Sequence, residues 1–257
     1  MITWLIKIPF LKRLIPSLSI KVLKLLKKNR RYFKIKNIWM FLDFLDPIDR
    51  HLILHQQFEN LEFKFLIKKI NDNKIKHFFD IGANCGYYSI FIADKISDIN
   101  ILSFEPNKDA YFKLKKTLEK NPRLSKKIEL NNFGLSNKSC KLEMQSMIKH
   151  GYAQTGGSSV ITKERYKSFD KFFADFKIGD ECIKLNNVLI AIKIDVEGHE
   201  LNVLKGLTEI LRNNKILMQI EIYEKNFYDV NSFLLSLGYK SIFKIEERSN
   251  YFYNNFN

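Results

Sequence analysis

Two carboxylates stand at the ends of short apolar runs in the first half of the chain. Asp80 closes the run that begins at His77, and Glu105 directly follows Asn100–Phe104. In an open α/β sheet, ligands bind beyond the carboxyl ends of the strands. A carboxylate at Glu105 can accept two hydrogen bonds from ribose hydroxyls, and Asp80 can meet an amino group directly or through water. The two positions therefore predict a nucleoside site.

The turn after Asp80 indicates which nucleoside would bind. Gly82 and Gly86 allow the backbone to bend tightly and to approach a ligand without a Cβ atom in the way. Asn84 stands where a dinucleotide fingerprint needs its second glycine, which argues against NAD because that glycine lets the backbone approach the pyrophosphate. S-adenosyl-L-methionine has no phosphates and does not need that approach. We therefore expect this cofactor at Asp80, Gly82, Asn84, Gly86, Glu105 and Pro106, whereas the glycine pair alone would also fit a structural turn.

A second group of polar residues follows the almost continuously apolar run Val188–Ile194, which predicts a central buried strand. Lys193 and Asp195 lie two residues apart and so share one face of that strand. His199 can act as a general base near neutral pH, with Asp195 orienting it or the acceptor and Glu197 as a second carboxylate. These four residues are the catalytic candidates.

Three further polar positions complete the predicted site. Asn132 ends the third predicted strand and is expected to contact adenine through its amide, or else to serve a turn. Glu221 stands late in the fifth strand, where it would line an acceptor pocket. Ser158 belongs to the cluster Gly156–Ser159, which predicts a lid over the acceptor or a flexible loop.

Cysteine and histidine spacing predicts neither a disulfide framework nor a metal site. The three cysteines are far apart and show no C-x-x-C spacing, which favours a reduced, cytoplasmic setting. His51 and His55 are four residues apart but have no obvious third ligand. We assign no metal.

From His77 onward, strand and helix patterns alternate, which predicts a doubly wound, mostly parallel sheet. The expected division is a basic, mainly helical extension over 1–72, a catalytic domain over 73–248 and an unassigned tail over 249–257. Within the domain, residues 136–186 are expected to form a long polar region. The expected strands are 77–81, 100–104, 128–132, 188–194, 216–222 and 239–245.

The basic charge of the chain is concentrated at its N-terminus. The net charge is +15, and residues 1–36 hold eleven Lys or Arg and no acidic residue, so the rest carries 32 basic against 28 acidic side chains. No stretch approaches the roughly 20 apolar residues that span a bilayer. The pattern favours a helical cap with a solvated basic face, with an amphipathic anchor on an anionic membrane as the alternative. Sparse aromatic residues disfavour nucleic acid.

Four blocks of sequence resemble the FkbM-type methyltransferases. They are FFDIGANCGYYS (78–89), SFEPN (103–107), LNNFGLSN (130–137) with GGSSV (156–160), and IKIDVEGHELNVLKG (192–206) with MQIEIYE (218–224). The first block is generic to methyltransferases, and the last is much more specific. The resemblance implies a Rossmann-like fold with a seven-stranded sheet of the class I methyltransferase type. It also implies S-adenosyl-L-methionine as methyl donor.

The resemblance further implies methyl transfer to oxygen, often on sugars or secondary metabolites and often in surface polysaccharide synthesis. We therefore expect a small-molecule or glycan acceptor, and a cytoplasmic protein with a peripheral membrane contact through residues 1–36. An RNA or protein acceptor is the first alternative, although the chain has no Pro-Pro pair and its core is close to charge balance. A non-catalytic membrane-surface adaptor on the same fold is the second. The family also places smaller residues at the position of His199, which leaves a structural role open there.

Overall fold

The computed structural model describes residues 29–149, 152–161, 169–244 and 249–256. Its first element is a hairpin of β1 (Arg30–Ile35) and β2 (Ile38–Asp43), which pair in antiparallel fashion. Along β2, the buried Ile38, Met40 and Leu42 alternate with the more exposed Trp39 and Phe41, so that one face of the hairpin is buried. This stretch was expected to be helical, and the strand period of its apolar residues explains the difference.

Two helices follow the hairpin, as expected for this part of the extension. They are α1 (Pro47–His55) and α2 (Asn60–Asp72). Asp46 caps α1, because its side chain accepts from the backbone N–H of Ile48 at 3.0 Å. The predictions made for residues 1–28 lie outside the described residues.

The remaining elements alternate between strands and helices. They are β3 (His77–Ile81), α3 (Tyr87–Lys95), β4 (Asn100–Phe104), α4 (Lys108–Lys120), α5 (Pro122–Ser125), β5 (Ile128–Asn131), β6 (Gly134–Ser136), β7 (Cys140–Lys149), β8 (Tyr152–Ala153), β9 (Ser159–Val160), β10 (Phe169–Ile178), α6 (Gly179–Cys182), β11 (Leu189–Ile194), α7 (Glu200–Gly206), α8 (Thr208–Asn213), β12 (Lys215–Glu221), α9 (Glu224–Ser236), β13 (Lys240–Lys244) and β14 (Asn250–Asn254).

A seven-stranded sheet forms the centre of the molecule, in the order β13-β14-β12-β11-β3-β4-β5. β14 runs antiparallel to both neighbours, and the other adjacent pairs are parallel. This confirms the predicted fold class. Since β3 and β11 pair in parallel, with Ile81 opposite Ile194, the residues that follow both strands meet at one edge of the sheet.

The predicted tail contains the seventh strand of this sheet. Asn250–Asn254 form β14, which lies between β12 and β13. Phe252 and Tyr253 are fully buried there, against opposite sides of the sheet. The segment therefore belongs to the fold of the domain.

Residues 136–186, expected as a long polar region, contribute most of a second sheet. Its order is β6-β10-β7-β8, with β9 paired to β7. The two long strands alternate polar and apolar side chains, and Met144, Ala174 and Phe176 form a small core. Because the buried apolar side chains lie on one face and polar residues stand between them, the composition resembles that of a loop.

The two sides of the central sheet carry separate apolar cores. One core contains the buried face of the hairpin, α2 and α3, and the other contains α7, α8 and α9. The N-terminal extension thus completes one side of the catalytic domain. None of the helices in the described ranges has the length and apolar character needed to cross a membrane.

Candidate active site

A cavity of about 70 Å³ lies between the carboxyl edge of the central sheet and the second sheet. Eight of the predicted site residues line it: Gly82, Asn84, Glu105, Pro106, Ser158, Asp195, Glu197 and His199. Asp80, Gly86, Lys193, Asn132 and Glu221 are not part of the lining. The turns after β3, β4 and β11 therefore meet at one pocket, as the sequence predicted.

Gly82 is required by a close crossing of two chain segments. Its φ is +84°, and a Cβ atom there would lie 1.9 Å from the backbone oxygen of Asp195. At Gly86, φ is +83°, and a Cβ atom would lie 2.2 Å from Cδ1 of Leu114 in α4. Both glycines thus serve close contacts within the protein, and Gly82 also lines the pocket.

Glu105 joins the turn after β3 to the turn after β4. Its Oε2 accepts from the backbone N–H of Asn84 at 2.7 Å, and its Oε1 accepts from that of Asn107 at 2.8 Å. Burial raises the pKa of Glu105 to about 7, although both N–H groups favour the ionised form. Asn132 donates from its amide to the backbone oxygen of Glu105 at 2.8 Å. It therefore positions Glu105, and its contact with adenine stays a prediction.

Asp80 is buried behind the pocket. Its Oδ2 accepts from the backbone N–H of Ser89 at 3.0 Å and from the Ser89 hydroxyl at 2.5 Å. Among the described residues the other oxygen, Oδ1, has no hydrogen-bond partner, and burial raises the pKa of the carboxyl group. Asp80 thus fixes the first turn of α3, and its contact with a ligand amino group stays a prediction.

Asp195 carries the half-buried carboxylate of an ion pair at the pocket. Its Oδ2 lies 2.9 Å from Nζ of Lys193, whose ammonium group stands 4.8 Å from the centre of the Tyr88 ring. Burial opposes ionisation, but the charge of Lys193 and its hydrogen bond hold the pKa of Asp195 below its usual value. Lys193, which does not line the pocket, therefore fixes the position of the Asp195 carboxylate.

Glu221 shares a proton with Asp195. Burial and the charge of Asp195 raise the pKa of Glu221 to about 9, so its protonated carboxyl donates to the Asp195 carboxylate at neutral pH. Glu59, just before α2, accepts from the Tyr88 hydroxyl at 2.7 Å, and its charge acts on Lys193. Glu59 could not be predicted from the sequence, because it precedes the region of recognisable motifs.

His199 has both ring nitrogens engaged. The amide of Asn202 donates to Nδ1 at 3.2 Å, which leaves Nε2 to donate to the Ser136 hydroxyl at 2.9 Å. Burial lowers the pKa of His199 to about 4. The ring is therefore neutral near pH 7. Asp195 pairs with Lys193 and Glu221, whereas the sequence predicted that Asp195 would orient His199 or the acceptor.

A loop over 155–158 covers the pocket from the other side. Ser158 accepts from the Asn107 side chain at 3.0 Å, which ties the loop to the cap of α4. Thr155 donates from its backbone N–H to Asp46 at 2.8 Å. Residues 155–158 are therefore held against Asp46 and the N-terminus of α4, and their role as a lid over the acceptor stays a prediction.

A buried ion pair anchors this loop. Nζ of Lys113 lies 2.6 Å from Oδ2 of Asp49 and donates to the Thr155 hydroxyl at 2.9 Å. Both charged side chains are almost fully buried, and burial raises the pKa of Asp49 to about 6 while Lys113 opposes this shift. Asp46 and Asp49 belong to the N-terminal extension, so the extension holds the loop closed.

The apolar wall of the pocket was not predicted from the sequence. Leu135, Met144, Val160 and Phe176 come from the second sheet, and Ile48 comes from α1. The alternation of apolar residues in β7 and β10 is the signal that could have found them. In the described ranges, no group of three or more His, Cys, Asp or Glu side chains is placed to hold a metal ion.

The chain is similar to methyltransferases in sequence. A hexuronic acid methyltransferase, AglP, from Haloferax volcanii is 28% identical over 142 residues, which cover 55% of this chain and 54% of the relative. Methyltransferase sdnD from Sordaria araneosa is 28% identical over 159 residues, which cover 51% of this chain and 60% of the relative. The aligned part of the chain thus spans between half and two thirds of each relative.

Solved structures with a similar fold include a precorrin-6y C5,15-methyltransferase from Geobacter metallireducens. Its TM-score is 0.42 at 11% identity, over 75% of this chain and 85% of that one. The StiE O-MT structure has a TM-score of 0.45 at 11% identity, over 76% of this chain and 56% of that one.

A family model described as the methyltransferase FkbM domain matches residues 80–241. The match includes the turn at Gly82, Glu105 and the turn that carries Asp195, Glu197 and His199. It extends over more than half of the chain, and so the chain belongs to the FkbM methyltransferase family.

Proposed function

We propose that this protein is an S-adenosyl-L-methionine-dependent methyltransferase that acts on a hydroxyl group of a sugar or another small molecule. The observation that carries the proposal is the convergence of Gly82, Glu105 and Asp195 on one pocket of an FkbM domain. The names of both curated relatives support methyl transfer, and that of AglP supports a sugar acid as one acceptor class.

The pocket residues fit the cofactor. Each oxygen of Glu105 accepts one backbone N–H and keeps a lone pair that can accept from a ribose hydroxyl. Gly82, Asn84 and Pro106 would lie along the same nucleoside. The carboxylates of Asp195 and Glu197 complement positive charge in the pocket. When bound, S-adenosyl-L-methionine supplies a methyl group on a sulfonium that is open to attack by an acceptor oxygen.

Asp195 is the residue best placed to receive the acceptor hydroxyl. It is ionised at neutral pH and partly exposed in the pocket, and Lys193 and Glu221 fix its position. It would orient the hydroxyl by accepting its hydrogen bond and take the proton as the new C–O bond forms. His199 is neutral and bonded to Ser136 and Asn202, so it would shape the pocket beside Asp195.

The loop over 155–158 would have to withdraw for the cofactor to enter. The cavity volume of about 70 Å³ is small beside the roughly 300–1,000 Å³ of typical ligand pockets. The backbone of Gly156 lies so close to Ile48 that an added Cβ atom would stand 2.0 Å from its Cδ1. Closure of this loop after binding would exclude water from the reacting atoms.

Calorimetry with S-adenosylhomocysteine tests the cofactor site. We expect wild-type protein to bind and Glu105→Ala to bind at least about tenfold more weakly, which corresponds to roughly 1.4 kcal/mol. Glu129→Ala, an exposed change on β5, is the matched control and should bind like wild type. Equal affinity in wild type and Glu105→Ala would overturn the site.

Transfer of a labelled methyl group tests the acceptor class. We expect transfer to sugars or small hydroxyl compounds, and a loss of kcat in Asp195→Asn with affinity for S-adenosylhomocysteine retained. Transfer to RNA or protein, with no transfer to any small hydroxyl compound, would contradict the proposed acceptor.

A further inference from the structure

An aromatic and basic surface covers one face of the β1–β2 hairpin and the adjoining side of α4. Tyr32 stands opposite Phe41, and Lys34 stands opposite Trp39, so these four side chains share one face of the hairpin. The Phe41 ring lies 5.2 Å from that of Tyr32 and 6.0 Å from that of Phe112 in α4. We call the surface formed by Tyr32, Lys34, Trp39, Phe112, Lys116 and Lys120 the basic-aromatic face.

Hydrogen bonds hold the two parts of this face in a fixed arrangement. The backbone N–H of Phe41 donates to the Thr117 hydroxyl at 2.9 Å, and the Tyr32 hydroxyl donates to the Lys116 carbonyl at 3.2 Å. The Asn121 side chain donates to the Trp39 carbonyl at 2.7 Å. The hairpin and α4 therefore present one surface.

Large apolar groups on this face remain exposed. Trp39 and Phe112 are each 43% exposed, although both belong to regular elements that bury their opposite side. Exposed aromatic residues grouped on one face mark interaction sites more often than scattered ones do. The face therefore has the character of a docking surface.

The charges around these rings are mainly positive. Nζ of Lys116 lies 5.7 Å from the centre of the Phe112 ring, and Nζ of Lys120 lies 5.8 Å from that of Tyr32. The acidic side chains nearby are engaged, since Glu119 pairs with Lys116 and Asp109 pairs with Arg30. A partner of this face is therefore expected to be anionic.

The sequence that precedes the hairpin also combines basic and bulky apolar residues. Residues 1–28 directly precede the hairpin and contain seven Lys or Arg, no acidic residue, and many bulky apolar residues between them. Basic residues interleaved with apolar ones are typical of segments that lie on anionic membranes. The sequence before the hairpin and the basic-aromatic face thus have the same chemical character.

We propose that the basic-aromatic face docks on an anionic phospholipid membrane, with the Trp39 and Phe112 rings at the level of the headgroups. The lysines around them would reach the lipid phosphates. Single-stranded nucleic acid fits less well, because edge-to-face contacts among Tyr32, Phe41 and Phe112 leave less ring surface for base stacking.

Docking on this face leaves the pocket free. Phe112 and Lys113 are neighbours on α4, but Phe112 is exposed while Lys113 is buried against Asp49 and Thr155. The two side chains thus point to different sides of the helix. Substitutions of Trp39 or Phe112 are therefore expected to leave cofactor binding intact.

Tryptophan fluorescence of the full chain tests the contact directly. The chain has two tryptophans, Trp4 and Trp39, so Trp4→Phe leaves Trp39 as the sole reporter. With vesicles of phosphatidylglycerol and phosphatidylcholine, Trp39 emission should move to shorter wavelength, and brominated acyl chains should quench it. Phosphatidylcholine alone should have neither effect.

Three fluorescence outcomes would overturn the proposal. Binding of anionic vesicles with unchanged Trp39 emission would place the contact elsewhere in the chain. The absence of any vesicle binding would remove the membrane as a partner. A shift of Trp39 emission with single-stranded RNA, in protein that does not bind vesicles, would assign the face to nucleic acid.

Flotation of variants gives a second test. Trp39→Ser combined with Phe112→Ser should reduce the fraction that floats with anionic vesicles at least about tenfold. The matched control is Phe173→Ser combined with Tyr228→Ser, whose targets are 64% and 80% exposed on β10 and α9, and it should float like wild type. Unchanged melting and S-adenosylhomocysteine binding would show that both variants are folded. Wild-type flotation of the Trp39/Phe112 variant would contradict the proposal.

Discussion

Burial and neighbouring charges give the acidic side chains of the site different protonation states. Glu221, with a pKa raised to about 9, is protonated at neutral pH, and Asp195 beside Lys193 is ionised. Glu105, with a pKa raised to about 7, changes its charge close to neutral pH. The same residue type thus serves as a hydrogen-bond donor, a charged acceptor and a titrating group within one pocket.

The titration of Glu105 should make cofactor binding depend on pH. The ionised carboxylate accepts from ribose hydroxyls, so affinity for S-adenosylhomocysteine should be full above about pH 8 and should fall as pH decreases through about 7. Calorimetry across this range measures the effect. Glu105→Gln keeps the shape without the charge change and should bind weakly with a flatter profile. A wild-type affinity that is constant over the range would contradict this role.

His199 should make the stability of the fold depend on pH. Its pKa is lowered from 6.5 to about 4 in the folded state, so only the unfolded chain gains a proton as pH falls below 6.5. The stability contributed by neutral His199 is therefore present above that pH and should decline by about 2 kcal/mol by about pH 5. Denaturant unfolding at the two pH values measures this decline.

Two variants separate His199 from other groups that titrate in this range. His199→Gln should lose less stability than wild type between neutral and mildly acidic pH. His55→Gln, an exposed change on α1, should retain the wild-type decline. An equal decline in His199→Gln and wild type would assign the effect to another residue.

At the scale of elements, the strands that carry the site could be predicted because they are almost continuously apolar. β3, β4 and β11 were found within one or two residues of their ends. The hairpin was missed, although Ile38, Met40 and Leu42 alternate with the period of a strand. Two-stranded pairing depends on packing against α4, which the local sequence does not specify.

Site residues were predictable where a turn follows a strand and unpredictable where a distant segment completes the pocket. Asp195 and Glu105 belong to the first class. Thr155 belongs to the second, because its partner Asp46 is 109 positions away in the chain. Asn132 and Asp80 show a further limit, since the sequence gives no sign of the hydrogen bonds that their side chains make to Glu105 and Ser89.

The buried pair of Lys113 and Asp49 should dominate the stability of the region that holds the loop. Lys113→Met leaves the Asp49 and Asp46 carboxylates buried without their cation, which should cost about 3–5 kcal/mol. Lys115→Met, an exposed neighbour on α4, should cost less than about 0.5 kcal/mol. Denaturant unfolding of both variants measures the difference.

The double variant identifies the cause of that loss. Asp49→Asn combined with Lys113→Met removes one of the buried carboxylates that has lost its cation. The double variant should therefore recover part of the stability lost in Lys113→Met alone. A double variant less stable than Lys113→Met would show that packing of the lysine stem, and not the unpaired charge, accounts for the loss.

At the scale of the whole molecule, the family domain and the N-terminal extension form one folding unit. The family match begins at residue 80, yet residues 30–72 supply eight of the buried side chains in one of the two cores. At about 1.5–3 kcal/mol for each buried apolar side chain, their loss is comparable to the roughly 5–15 kcal/mol that stabilises a typical domain. Asp49, the partner of Lys113, belongs to the same stretch.

We therefore expect a fragment of residues 73–257 not to fold, whereas residues 29–257 should unfold cooperatively and bind S-adenosylhomocysteine. Circular dichroism during heating and size-exclusion chromatography of the two fragments make the comparison. The longer fragment retains Ile35, Met40, Leu42 and the Asp49–Lys113 pair, so it keeps the whole of the first core. Cooperative melting of the shorter fragment, with cofactor affinity equal to that of the longer one, would show that the extension is a separate unit. In that case Asp46 and Asp49 would hold the loop in place without being needed for the domain to fold.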